Sequence, residues 1–125
     1  INRLRGAFNV STSGQKAAIA ALGDQDFVAT SRAHNAAERA RFCDAIAALG
    51  NHGLTTSPSE ANFVLVHFGG GVTAAAALTA LADAGYAVRH LPGQGLPHAL
   101  RITIGTADAM TGVIAALRTL CGEPA

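Results

Sequence analysis

The sequence lacks tryptophan and is poor in aromatic and charged residues. Of its 125 residues, 5% are aromatic and 14% are charged, and the net charge is +1. Lys and Arg form no basic cluster, which excludes the usual nucleic-acid-binding surface, so we expect no nucleic-acid partner. The longest apolar run, around residues 72–82, is too short to cross a bilayer, and we therefore expect no membrane segment.

Sulfur-containing residues are equally scarce. Cys43 and Cys121 lie far apart in the sequence, each in a helix-like stretch and outside any C-x-x-C motif. This usage excludes a disulfide framework and favours a reducing cytoplasm. The only methionine is Met110 and residue 1 is Ile1, so we expect that the chain is not an intact translation product. The five histidines lack the spacing of a metal site, and we predict no bound metal.

Hydrophobic residues, in contrast, make up 50% of the chain, which excludes disorder over most of its length. Helical periodicity predicts helices over residues 11–22, 24–49, 72–84 and 107–121. Short apolar runs bounded by glycine, proline or serine predict strands over residues 54–56, 62–68, 86–90 and 99–104, after an extended entry segment over 1–10. This order indicates one α+β domain whose small, mostly antiparallel sheet is covered by helices on one face.

Two features that could serve catalysis have ordinary interpretations. Lys16 is the only lysine and hence the only residue that could form a Schiff base. No buried or cationic surroundings that would lower its pKa are indicated, so we interpret it as a solvated helix residue. The triplet Gly69–Gly71 could cradle a phosphate, but no Gly-Lys-Ser/Thr follows it, which favours a flexible strand-to-helix connection.

Arg89 and Arg101 are the strongest candidates for a binding role. In the strand that contains Arg101, the apolar residues Leu100, Ile102 and Ile104 alternate with it, so the arginine points away from the core. If the last two strands form a hairpin centred near Gly95, the two arginines lie directly opposite each other and repel. An anion held between two guanidinium groups would remove that repulsion. Alternatively, both side chains reach into solvent, or the register keeps them apart.

Four segments occur in an order and at a spacing that resemble a known family. They are R-L-R-G-A-F-N-V-S at residues 3–11, S-E-A-N-F-V-L-V at 59–66, V-R at 88–89 and L-R-I-T-I-G-T at 100–106. Together they resemble the C-terminal part of the histidinol-phosphate aminotransferase family, which belongs to the pyridoxal-phosphate aminotransferases of fold type I. The resemblance covers essentially the whole chain.

The resemblance implies that the full-length protein is a cytoplasmic homodimer that transfers an amino group between histidinol phosphate and 2-oxoglutarate in histidine biosynthesis. It assigns substrate binding to Arg101, which would hold the acidic group, and to Arg89, which would hold the phosphate. The family's Schiff-base lysine and its other pyridoxal-phosphate ligands correspond to positions upstream of residue 1. No catalytic or cofactor-binding residue is therefore expected here, and the chain alone should be inactive.

On this view residues 1–125 form the small C-terminal domain of an aminotransferase, and residues 1–50 are a helical segment leading from a missing large domain. A second interpretation comes from a different class of protein. The chain could be a stand-alone α+β module that binds a small anion and catalyses no reaction.

Overall fold

The computed structural model describes residues 11–124, and the predicted entry segment over residues 1–10 lies outside that range. The elements are the helices α1 (Thr12–Gly23), α2 (Gln25–Ala47), α3 (Ala74–Asp83) and α4 (Ala107–Leu120), and the strands β1 (Leu54–Thr56), β2 (Phe63–Phe68), β3 (Arg89–Leu91) and β4 (Leu96–Thr103). Short 3-10 turns precede β1 and join β3 to β4. All four predicted helices and all four predicted strands are present.

The chain divides into two compact units, residues 1–33 and 34–125. The domain assignment of the sequence analysis, a single domain with a helical segment over residues 1–50, stays a prediction. Within the first unit, Ser11 caps α1 by accepting a hydrogen bond from the backbone N–H of Gly14. Asp24 caps α2 in the same way, its Oδ1 lying 3.0 Å from the N–H of Phe27.

The sheet of the second unit has the strand order β1-β2-β4-β3, and every neighbouring pair is antiparallel. Its core face packs against the second half of α2 and against α3 and α4. The buried core side chains include Phe42, Ile46, Leu54, Val64, Val66, Leu81, Leu100, Ile102, Met110 and Leu117. The predicted α+β fold, with helices packed on one face of a small antiparallel sheet, is confirmed.

The glycine triplet forms a close crossing between two loops. Gly69 donates a backbone hydrogen bond of 2.8 Å to the carbonyl oxygen of Gly53. A Cβ on Gly53 would lie 2.6 Å from Gly70 Cα, and Gly53 also has a positive φ of 82°. Real Cβ contacts are longer than this, so Gly53 and Gly70 both need to be glycine. Close backbone packing therefore defines the connection between β2 and α3.

The boundaries of β3 and β4 differ from the prediction. The predicted strand over residues 86–90 starts only at Arg89, because the N–H of Tyr86 bonds to the carbonyl oxygen of Leu81 and closes the end of α3. The predicted loop over residues 91–98 is only four residues long, since Leu91 already pairs with Leu96. Gly95, at φ 75°, completes this tight turn, and β4 begins at Leu96.

Candidate functional site

The candidate site lies on the sheet face opposite the core, which we call the outer face. Antiparallel partners share a face, so the strand register defines its members. They are Thr55 on β1, Phe63, Leu65 and His67 on β2, Ala99, Arg101 and Thr103 on β4, and Arg89 on β3. Ala99 is buried, Leu65, His67 and Arg101 are partly buried, and the other side chains are exposed.

Arg89 and Arg101 are brought together as predicted, because the β3–β4 register places them directly opposite each other. Cβ atoms of such partners lie about 5 Å apart, so two positive charges face each other across neighbouring strands. Among residues 11–124 neither arginine has a carboxylate within ion-pair distance. The pair is therefore a local excess of positive charge that an anion can neutralise.

Leu65 and Phe63 complete the surroundings of Arg101. Leu65 is its direct partner on β2, and Phe63 is the diagonal neighbour whose ring centroid lies 5.2 Å from Arg101 Cζ. At this distance the positive guanidinium is attracted to the electron-rich ring face. No sequence pattern indicates this role of Phe63, because the contact depends on the register between β2 and β4, two strands far apart in the sequence.

The start of β2 is fixed in place by α2. The side chains of Asn35 and Arg39 both donate to the carbonyl oxygen of Ala61, over 3.2 and 2.9 Å. The next carbonyl oxygen, that of Asn62, accepts the N–H of Ile104. These bonds fix the backbone immediately before Phe63 on two sides, and so position the ring beside Arg101.

His67 lies on the outer face next to the hydroxyl of Ser57, a contact that no sequence pattern indicates. Its Nε2 is 2.8 Å from Ser57 Oγ, and both residues are half-buried. The other hydrogen-bonded histidines bond elsewhere: His34 to Gly105, His52 to Glu123 and His90 to Pro97. Within the described part of the chain no group of three metal-ligating side chains comes together.

Lys16, the other candidate considered, is an exposed residue of α1, a helix in which no side chain is buried. Among residues 11–124, nothing buries the Lys16 side chain, whereas a cofactor-binding lysine needs enclosed surroundings. Between residues 11 and 124, no helix has both the length and the apolar character needed to traverse a lipid bilayer.

Comparison with known proteins identifies what this arrangement is similar to. A family model described as aminotransferase class I and II matches residues 1–117. Over 110 residues the chain is 64% identical to the histidinol-phosphate aminotransferase of Erythrobacter litoralis, covering 88% of this chain and 30% of that protein. Over 118 residues it is 54% identical to that of Sphingopyxis alaskensis, covering 94% and 32%.

A solved structure shows the same similarity in three dimensions. The histidinol-phosphate aminotransferase of Sinorhizobium meliloti, crystallised with pyridoxal 5'-phosphate, superposes with a TM-score of 0.72 at 30% identity. The match covers 97% of this chain and 33% of that one. The chain thus spans about a third of the length of these relatives.

Proposed function

The chain belongs to the aminotransferase class I and II family, and from this premise we propose that it is part of a histidinol-phosphate aminotransferase. The full-length enzyme would transfer an amino group between histidinol phosphate and 2-oxoglutarate in histidine biosynthesis. The proposal is supported by relatives of that name that are up to 64% identical to this chain. The activity is assigned to the longer protein, as these relatives are about three times longer.

Within that enzyme, we assign this chain to the small C-terminal domain and to substrate binding. The observation that carries the assignment is the opposed pair Arg89–Arg101 on the outer face, without a carboxylate partner among the described residues. Guanidinium groups bind carboxylate and phosphate through paired hydrogen bonds. Arg101 would hold the carboxylate of glutamate or 2-oxoglutarate, and Arg89 would help to hold the phosphate of histidinol phosphate.

Pyridoxal phosphate would supply the amino-transfer chemistry of the full-length enzyme, but the described residues do not fit it. A Schiff-base lysine needs an enclosed environment, whereas Lys16 is an exposed residue on a helix without buried side chains. We therefore assign the cofactor and the catalytic lysine to the remainder of the protein. This chain contributes binding and orientation of the substrate anions, and alone it would be inactive.

For the whole protein we further propose a homodimer, located in the cytoplasm, that binds amino and oxo acids. The alternative, a stand-alone module that binds a small anion, is not favoured. The named relatives are aminotransferases, and the chain corresponds to only 30–32% of their length.

Replacement of Arg101 by Lys in the full-length enzyme tests the assignment. Lysine keeps the charge but loses the planar pair of donors, so KM for 2-oxoglutarate should rise and kcat/KM should fall. A charge-assisted hydrogen bond contributes about 1.5–3 kcal/mol, which corresponds to about 10- to 150-fold in affinity. Arg101 lies outside the buried core, so the Tm should change little. An unchanged kcat/KM, or a fall in Tm as large as that of a core truncation, would contradict the proposal.

Arg89→Lys serves as the second arm of the same experiment. We expect it to weaken the binding of histidinol phosphate more than the binding of glutamate, because only the former carries a phosphate. Measuring both half-reactions separates the two roles. An equal effect on both substrates would show that Arg89 does not distinguish the phosphate.

A further inference from the structure

Phe63 occupies an unusual place for a large apolar side chain. It is the first residue of β2, on the outer face, and 36% of its surface is exposed. Its neighbours Val64, Val66 and Phe68 lie in the core, whereas Phe63 buries nothing there. What the ring does contact is the guanidinium of Arg101, whose Cζ lies 5.2 Å from the ring centroid.

The contact moves the Arg101 guanidinium in the same direction as the repulsion within the arginine pair. β4 lies between β2 and β3 in the sheet, so Phe63 and Arg89 flank Arg101 on opposite sides. Attraction to the ring draws the guanidinium toward β2, while the charge of Arg89 repels it from β3. Both effects move the guanidinium toward β2, and both reduce the number of conformations that the Arg101 side chain adopts.

The contact also leaves the hydrogen-bonding capacity of Arg101 free. A cation–π interaction uses the ring face and consumes none of the five guanidinium N–H donors. Over residues 11–124, no protein group accepts a hydrogen bond from this guanidinium within hydrogen-bonding distance. An ion pair with a carboxylate would restrain the arginine equally well but would occupy the donors that a substrate needs.

We propose that Phe63 is a positioning residue for Arg101: its ring restrains the guanidinium before the substrate arrives and leaves the donors free for a planar carboxylate. This inference rests on the proposed substrate-binding role of Arg101. A restrained side chain loses less conformational freedom on binding, so affinity for the carboxylate substrate increases without a further contact. The simpler alternative is that Phe63 only covers the apolar stem of Arg101, a function that leucine would serve as well.

The test compares Phe63→Leu and Phe63→Tyr in the full-length enzyme. Loss of the ring in Phe63→Leu should raise KM for 2-oxoglutarate about 3- to 10-fold, with kcat nearly unchanged. Phe63→Tyr keeps an aromatic face and should stay within about twofold of the original enzyme. If Phe63→Leu leaves KM unchanged, or if tyrosine fails to restore it, the inference is overturned.

Phe68→Leu is the matched control, since it makes the same substitution on the same strand but on the core face. It should lower the Tm and leave KM for 2-oxoglutarate unchanged. A rise in KM equal to that of Phe63→Leu would mean that any loosening of β2 impairs binding, and would overturn the specific role of the ring.

Arg101 variants distinguish the inference from the proposal on which it rests. When Arg101→Leu removes the cation, adding Phe63→Leu should change KM by less than twofold, because the ring then has nothing to position. A full additive effect would overturn the inference. If Arg101→Lys changes KM but Phe63→Leu does not, only the inference fails; if Arg101→Lys itself has no effect, the proposed function fails.

Discussion

Cys121 is a residue whose titration the structure perturbs. It follows α4 and packs against the core, and burial raises the pKa of its thiol, with the negative charge of Glu123 adding to the effect. Glu123 is in turn 3.0 Å from His52 Nε2, so the C-terminal end is held near the turn that precedes β1. The thiol is therefore more strongly protonated near neutral pH than an ordinary cysteine.

We predict slow alkylation of Cys121. The thiolate is the reactive form, so a raised pKa moves the onset of reaction with iodoacetamide to higher pH than for a free thiol. Glu123→Gln removes the adjacent charge, the smaller of the two causes, and should speed the reaction at pH 8. The measurement uses a Cys43→Ser background, in which Cys121 is the only thiol. Reaction as fast as that of free cysteine would contradict the prediction.

The raised pKa of Cys121 also determines the direction in which stability changes with pH. Because the folded thiol has the higher pKa, its contribution to stability is fully present below the pKa of the unfolded chain. It is lost as the pH rises through the folded value. The free energy of unfolding should therefore decline on the alkaline side, and less so in a Cys121→Ala variant.

The sequence places Arg89 and Arg101 on one hairpin, but it determines neither their exact register nor the position of Phe63. The turn over residues 92–95 pairs Leu91 with Leu96, and Arg89 faces Arg101 because the register shifts between His90 and Leu91. Phe63 reaches Arg101 only through the pairing of β2 with β4, in which Phe63 lies opposite Thr103. Alternation assigns Phe63 to a face of its strand, but no local pattern determines the register between strands so distant in the sequence.

At the scale of elements, α3 and α4 end in the same way. After α3, Gly85 and Tyr86 bond back to Ala82 and Leu81; after α4, Gly122 and Glu123 bond back to Thr119 and Arg118. Both glycines have positive φ, as this type of helix end requires. The predicted helix over residues 72–84 ends correctly before Gly85, but the predicted strand over 86–90 wrongly includes Tyr86, because backbone bonding after the glycine competes with strand formation.

Gly112 offers a test of how α4 packs. Alanine would normally favour a helix by about 0.5–1 kcal/mol over glycine. Here, however, a Cβ would overlap the hydroxyl of Tyr86 and lie 2.7 Å from its Cζ. The Tyr86 ring packs against the core, so moving it away would disturb that packing. Since overpacking costs about 1–3 kcal/mol, we expect the steric conflict to outweigh helix propensity. We predict that Gly112→Ala lowers the Tm by a few degrees in thermal unfolding.

Two further variants test whether contact with Tyr86 causes the destabilisation by Gly112→Ala. Gly93→Ala should leave the Tm almost unchanged, because nothing lies within 4 Å of a Cβ at that position. In a Tyr86→Ala background the conflict disappears, and Gly112→Ala should become stabilising. A destabilising effect that persists without the tyrosine would contradict this explanation.

At the scale of the whole molecule, the first unit exposes large apolar side chains. Ile19, Leu22 and Phe27 are 71%, 74% and 68% exposed, and no residue of α1 is buried. Large apolar side chains exposed in this number are typical of a surface that another protein segment covers. We predict that the isolated chain associates with itself, with a sedimentation coefficient that rises with concentration.

A pair of substitutions tests whether these side chains cause the association. Ile19→Ser with Leu22→Ser should shift the chain toward the monomer. The matched control, Ala17→Ser with Ala20→Ser, changes exposed positions of the same helix and removes little apolar surface. A chain that sediments as a monomer at high concentration, or equal effects of both pairs, would contradict the prediction.

The strand order β1-β2-β4-β3 also has a consequence for folding kinetics. Each edge strand is joined to its neighbour by a short connection. The central pairing between β2 and β4, in contrast, brings together Val64 and Ile102, which are 38 positions apart in the sequence. Closing a loop of this length costs about 2 kcal/mol more than closing a four-residue turn, so central pairing is expected to be the slower event. A folding intermediate with only the β3–β4 hairpin would already oppose Arg89 and Arg101. It would still lack Phe63 and Leu65, so the anion site would be completed only at the last pairing step.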